Sequence, residues 1–272
     1  MSPSEEAAFA ALTRKISLEA GLSLDAYKDK CLRRRIAVRM RACGVHSYAE
    51  YQALLDINQA EYERLKDAIT INVTRFYRNA DTWNVLRTLL PEVCAADRHE
   101  VRAWSAGCSS GEEAYTLAML IADHLEREGK PERLSLLTVD ATDVDRQCLE
   151  RAQEARYRRD ALTEVPPSLA RRYFEGDGEE CRVVERVRRR VVVRAQDLSI
   201  DPPPRRNYHL ILCRNVVIYF GRSTQERVFS AFADALAPGG LLILGKVETL
   251  FGPARDRLTL LDPRERVYRR AA

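Results

Sequence analysis

Apolar residues recur every three or four positions through the first part of the chain. Leu32, Ile36, Met40 and Cys43 make one stripe along a helix whose other faces are basic. Leu54, Leu65, Ala68 and Ile69 predict further amphipathic turns, with Gly21 and Gly44 placed as helix stops. Residues 1–75 are therefore expected to form an all-helical domain. After Pro91 the pattern changes to short apolar runs alternating with helical stretches. VRAWSAG reads as a strand ending in a turn, and EEAYTLAMLIADHLEREG as a helix stopped by Gly129. LSLLTVDATD is a strand closing on Asp140 and Asp143, and DRQCLERAQEARY is a helix. RRRVVVRAQDL is a strand, and YHLILCRNVVIYF a strand running into a polar turn. TQERVFSAFADALAPGG is a helix with a Pro-Gly-Gly stop, and LLILGKVE a strand.

Strands that alternate with helices predict an α/β domain over residues 76–272, its mostly parallel sheet covered on both faces. Ligands of such sheets bind beyond the carboxyl ends of the strands. The polar residues at those ends are Glu112, Asp143, Asp197, Asn215 and Glu248. Residues 158–190 break the alternation with a double proline, alternating Val and Arg, and a Gly-Asp-Gly turn. They predict a small β subdomain inserted in the larger one.

Composition changes this picture in two places. The seven cysteines are scattered, odd in number and without a CxxC pair, which argues against a zinc site or a disulfide framework. With no signal-peptide pattern and no apolar run near the ~20 residues of a membrane helix, a cytoplasmic protein is expected, without membrane insertion or metal. The net charge of +4 is small but unevenly placed. Lys28, Lys30, Arg33, Arg34, Arg35, Arg39 and Arg41 face one acid, Asp29. Such a helix either docks an acidic partner or is a solvated face, and the lack of interleaved aromatics weighs against single-stranded nucleic acid.

The loop WSAGCSSGEEAY, Trp104 to Tyr115, admits three chemistries. A phosphate loop would need a lysine where Glu112 stands, and two carboxylates would repel a polyphosphate. GCSSG also matches G-x-S-x-G, which would make Ser109 a hydrolase nucleophile. Its histidine would have to be His124 or His209, and neither lies in a segment free to reach it. The third is a ligand with a positive charge and ribose hydroxyls but no phosphate, which describes S-adenosylmethionine (SAM). The turn at Gly107 lets the backbone approach, one of the two glutamates after it pairs with the ammonium, and Asp143 at the next strand end accepts the ribose hydroxyls.

INVTRFYRN, WSAGCSSGEEAYTLAM, ATDVDRQCLERAQEARY, CRNVVIYF and LAPGGLLILGKVE follow one another here as in the chemotaxis receptor glutamate methyltransferases (CheR type), which the chain resembles over nearly its whole length. The resemblance implies a Rossmann-like SAM-dependent methyltransferase domain behind a helical N-terminal domain. It implies methyl esters on glutamates of chemoreceptor cytoplasmic helices, with S-adenosylhomocysteine (SAH) as product. It further implies that Asn72, Thr74 and Arg78 line the cofactor site, and that Glu112 takes the ammonium and Asp143 the ribose. Asp197 with Leu198 and Asn215 with Val216 would close around the adenine and methionine portions. Tyr219 would stand near the transferred methyl, with Arg75 or Arg78 as a cation that orients the acceptor. A carboxylate acceptor is ionised at pH 7, so alignment and desolvation rather than a general base would carry catalysis.

The basic helix, through Arg33, Arg34, Arg35 and Arg39, would dock the acidic receptor helices, the enzyme acting as a monomer and without nucleic acid. Some family members bind a receptor's C-terminal peptide on the β insertion. The turn EGDGEECR is short here, so no such tether is expected. The chain departs from the family at three places: Val73 stands where many members have glutamate, Lys246-Val247 replaces a pair ending in serine, and Cys181 sits in the insertion. A SAM-binding module without turnover, and a methyltransferase with another acceptor, remain open alternatives.

Overall fold

The computed structural model describes residues 3–70, 72–95, 97–176 and 178–271. The chain forms two compact units. The first takes Met1–Asn72 with Tyr219–Thr224, the second Val73–Ile218 with Gln225–Ala272.

The first unit holds α1 (Pro3–Ala20), α2 (Asp29–Ala42), α3 (Tyr48–Ile57) and α4 (Gln59–Thr70). α1 packs on α3 and α2 on α4, around Leu12, Ile16, Leu32, Ile36, Tyr51, Leu55, Leu65 and Ile69, all nearly solvent-free. Gly21 and Gly44 end their helices in the left-handed region. The Ser47 hydroxyl accepts the Glu50 N–H, and Glu50 in turn accepts the Ser47 N–H, a capping box that starts α3. The inward residues of α3 are Tyr51 and Leu55; Leu54, expected there from spacing, is half-buried. Segment Tyr219–Thr224 joins this unit through two backbone bonds. Lys28 N–H donates to the Tyr219 carbonyl (2.8 Å) and Gly221 N–H to that of Ala26 (2.7 Å).

The second unit runs α5 (Ala80–Val93), β1 (Val101–Ala106), α6 (Glu112–Arg127), β2 (Leu137–Asp143), α7 (Arg146–Glu154), β3 (Arg156–Arg158), α8 (Pro167–Tyr173), β4 (Phe174–Glu175), β5 (Glu180–Val183), α9 (Glu185–Arg188) and β6 (Val191–Ala195). It continues with β7 (Tyr208–Cys213), α10 (Arg222–Ala235, whose first residues belong to the first unit), β8 (Leu236–Leu244), β9 (Leu258–Asp262) and β10 (Val267–Arg270). The large sheet has the order β6-β2-β1-β7-β8-β10-β9. Its first five strands are parallel, and β10 runs antiparallel to both β8 and β9. The chain winds from β1 through β2 to β6, then returns to the other side of β1 as β7 and β8. The strand order therefore reverses between β1 and β7, which opens a crevice at their carboxyl ends. α6 is buried along almost every position from Ala114 to Ala122 because it lies between the sheet and α5, α8 and α9.

The structure corrects several boundaries. α7 stops at Glu154, Ala155 turns left-handed, and the remaining ARY of the expected helix starts β3. The small antiparallel sheet, in the order β3-β5-β4, thus begins at Arg156. The alternating Val-Arg stretch forms α9 with Val187 inward rather than a strand. Of the expected Gly-Asp-Gly turn, Asp177 lies outside the described residues. β8 begins at Leu236, so GKVE is the turn after it. β9 and β10 were not expected. Leu260 and Leu261 on edge strand β9 are 45% and 39% exposed, so no apolar alternation announces it.

Candidate active site

The β1–α6 loop is shaped by its glycines. Gly107 N–H and Cys108 N–H both donate to the Thr142 carbonyl (2.8 and 2.9 Å), which draws the loop over the end of β2. Gly107 has φ +79°, and a Cβ there would lie 2.4 Å from Val216 Cγ2. Only a glycine lets the loop after β7 close on the end of β1. At Gly111 (φ +95°) a Cβ would lie 2.9 Å from the Ala152 Cβ and 3.1 Å from the Tyr157 hydroxyl. That hydroxyl donates to the Ser110 carbonyl (2.7 Å).

The two glutamates that follow have different surroundings. Glu113 accepts from the Ser105 hydroxyl (2.8 Å) and pairs with Arg214 (3.3 Å), whose side chain is 4% exposed. Arg214 also donates to the Arg78 carbonyl and to Asn79 Oδ1, both at 2.9 Å. Glu112 is buried, takes only the Ser110 hydroxyl (2.8 and 3.0 Å) from another side chain, and has no ion pair within 4 Å among the described residues. Burial raises its carboxyl above the ordinary 4.5, against its own N–H, Ser110 and Arg151. A buried carboxylate without a counterion lacks a cation.

At the end of β2, Asp143 accepts Ser109 N–H through Oδ2 (2.8 Å) and Asp145 N–H through Oδ1 (3.0 Å). Burial, the largest influence, raises its carboxyl too. Val144 N–H is a third backbone donor to the same carboxylate, which as an acceptor of about four hydrogen bonds keeps room for a hydroxyl donor. The Asp143 carbonyl accepts Gln196 N–H (2.9 Å), which brings the Asp197-Leu198 turn alongside. Asp197 Oδ1 shapes that turn, accepting Ser199 N–H (2.8 Å) and its hydroxyl (2.6 Å). After β7, Asn215 is left-handed (φ +63°) and leads into Val216.

The second unit thus gathers Gly107, Glu112, Asp143, Asp197, Leu198, Asn215 and Val216 at neighbouring strand ends. Thr74 lies half-buried in its first segment, where Arg78 donates to the Val73 carbonyl (2.8 Å). Arg75 pairs with Glu164 (3.1 Å) at the surface. In the first unit, Asn72 donates to Thr70 Oγ1 (3.1 Å) at the end of α4. Arg39 holds the buried Glu61 and Arg33 pairs with Glu6 and Asp29, while Arg34 is exposed. Arg35 is 6% exposed, donates one N–H to the Ile69 carbonyl and lies over the Tyr219 ring at 4.3 Å. Its Nε and Nη2 have no hydrogen-bond partner among the described residues.

The sequence did not single out Ser110, Tyr157 or Arg214. Their roles depend on strand adjacency, and only the polar turn that begins at CRN hinted at Arg214. The hydrolase reading fails on position. His209 Nδ1 accepts Arg102 N–H (3.0 Å) at the amino ends of the strands, away from Ser109, and burial holds its imidazole neutral, down to about 4.

The residues present fit SAM: the Gly107 cradle that a Cβ would fill, and a buried Glu112 without a cation. The family pattern described as "CheR methyltransferase, SAM binding domain" matches residues 72–266, and "CheR methyltransferase, all-alpha domain" matches residues 7–70. The chain is 34% identical to a chemotaxis protein methyltransferase of Klebsiella aerogenes, over 93% of this chain and 87% of that protein. Proteins of the same description from Listeria innocua (31%, covering 96% and 97%) and Escherichia coli K12 (32%, covering 94% and 88%) are similar over like spans.

Proposed function

The chain belongs to the CheR methyltransferase family and is a SAM-dependent methyltransferase, and from that premise we propose that it forms methyl esters on glutamate side chains of chemoreceptor cytoplasmic helices. The observation that carries the reading is Arg35. A desolvated guanidinium with two donors that have no partner among the described residues, beside the Tyr219 ring, favours a carboxylate brought to it. When bound, SAM supplies an electrophilic methyl on its sulfonium, which an ionised carboxylate takes without a general base.

In this reading Tyr219 and Arg35 bind the acceptor carboxylate and keep water from it. Arg75, offered by the resemblance as the orienting cation, is held by Glu164 instead. Glu112 receives the cofactor's ammonium and Asp143 its ribose. Gly107, Asp197, Leu198, Asn215 and Val216, with Asn72, Thr74 and Arg78, complete the cofactor contacts. Arg33 and Arg39 hold α2 in place through their own ion pairs, and Arg34 presents its charge to an acidic receptor helix. The protein acts as a cytoplasmic monomer. No described helix is long and apolar enough to cross a membrane.

Incubation with methyl-labelled SAM and a chemoreceptor cytoplasmic fragment is expected to give label that mild base releases as methanol; base-stable label would refute ester formation. Arg34→Glu is expected to raise the KM for the fragment severalfold, more so at low salt, with unchanged kcat and SAH affinity. Equal KM values would remove α2 from docking.

A further inference from the structure

Glu248 lies in the turn after β8 and is 2% exposed. Its own N–H donates to the Gly245 carbonyl (2.8 Å), and its Oε2 accepts the Gly245 N–H (2.6 Å), so the turn closes on itself. The same carboxylate then reaches the loop after β7. Oε2 accepts Asn215 N–H (3.0 Å), while Oε1 accepts Val216 N–H (2.9 Å) and Ile218 N–H (3.4 Å). Four backbone donors thus converge on one buried acid, whose charge is met by peptide dipoles rather than by a side-chain cation. A Cβ on Gly245 would stand 2.7 Å from Glu248 Oε2 and 2.9 Å from the Asn215 nitrogen. The glycine is what admits the carboxylate between the two loops.

β7 and β8 are already paired as far as Cys213↔Leu244. The carboxylate therefore orders the loops beyond the ladder, not the sheet itself. One of those loops holds left-handed Asn215 and presents Val216 to Gly107. We propose that Glu248 is a positioning residue for the cofactor site, a buried anion that fixes the Asn215–Ile218 loop in its binding shape from behind. This rests on the assignment of Asn215 and Val216 as cofactor contacts.

Glu248→Gln tests it, because the isosteric amide turns one accepting oxygen into a donor that faces backbone N–H groups. Calorimetric titration with SAH is expected to show affinity weakened roughly tenfold or more. The urea m-value should stay unchanged, and amide resonances of 215, 216, 218 and 245 should shift in the ligand-free protein. Glu248→Asp keeps the charge on a shorter arm and is expected to fall between. A folded Glu248→Gln that binds SAH like the wild type overturns the proposal. Failure of the wild type to bind SAH overturns the cofactor reading instead. Where Glu248→Gln does not fold, Gly245→Ala displaces the carboxylate without removing it and should give the same affinity loss. If neither variant folds, Glu248 serves the fold rather than the site, and the proposal is lost.

Discussion

Gly107→Ala tests the cradle most directly, because two separable strains meet there. An alanine at φ +79° pays the left-handed penalty, about 1–2 kcal/mol. Its Cβ would also stand 2.4 Å from Val216 Cγ2 and 3.2 Å from Cγ1. Relieving that overlap by shifting the loop costs about 1–3 kcal/mol, as overpacking does elsewhere. The single variant should therefore lose roughly 2–5 kcal/mol of stability. Val216→Ala alone removes half-buried methyls and should cost about 1 kcal/mol.

In the double variant both offending carbons are gone and the Val216 Cβ, 3.3 Å from the new methyl, is tight but bearable. Only the backbone strain and the lost methyls then remain, so the two substitutions should couple favourably by about 1–3 kcal/mol in urea unfolding. SAH affinity should fall in Gly107→Ala and partly return in the double variant. Additivity within about 0.5 kcal/mol would show that Val216 is not why a glycine stands at 107.

Two further outcomes follow from the acids. Glu112 has a folded pKa above 4.5, so the stability it contributes is present below that pH and is lost as pH rises through its raised value. Glu112→Gln should flatten that decline in urea midpoints from pH 4.5 upward and abolish the proton release that accompanies SAH binding there; parallel curves for variant and wild type would refute the assignment. Arg214→Ala strands Glu113 without its partner and should cost about 3 kcal/mol or more, partly regained in Arg214→Ala/Glu113→Gln. A loss under about 1 kcal/mol would show that the pair does not hold α6 to the end of β7.

Much of this was legible in local pattern. The GCSSGEE turn announces a close backbone approach followed by acids, and the order of apolar runs announces the parallel sheet. Which glutamate keeps its charge unmet was not legible, because Arg214 is a hundred residues away and reaches Glu113 only once β7 lies beside β1. The RRR of α2 reads as three equal cations. Yet Arg35 falls three residues after Leu32 and one before Ile36, on the inward stripe, and helical spacing alone separates it from exposed Arg34. Glu248 was visible as a polar strand end, but its partners are backbone N–H groups, which leave no trace in residue types. The β9–β10 hairpin was missed because an edge strand needs little apolar alternation.

The charge pattern explains why one chain serves two ligands of opposite sign. In the second unit, backbone donors meet Glu248 and Asp143, and Arg214 meets Glu113. Glu112 is left with the Ser110 hydroxyl and its own N–H but no ion pair among the described residues, which gives that site a preference for a cation and a bias against nucleotide phosphates. In the first unit the balance is reversed. Arg39 is matched by Glu61, but Arg35 has two buried donors without a partner among the described residues. In the proposed reading Glu112 then suits a sulfonium ligand and Arg35 a carboxylate acceptor. Exchanging the signs should therefore fail in opposite ways. Glu112→Lys should lose SAH binding while the receptor fragment still binds, and Arg35→Glu should keep SAH binding and lose methyl transfer. If either variant lost both together while folded, the two charges would not be independent determinants.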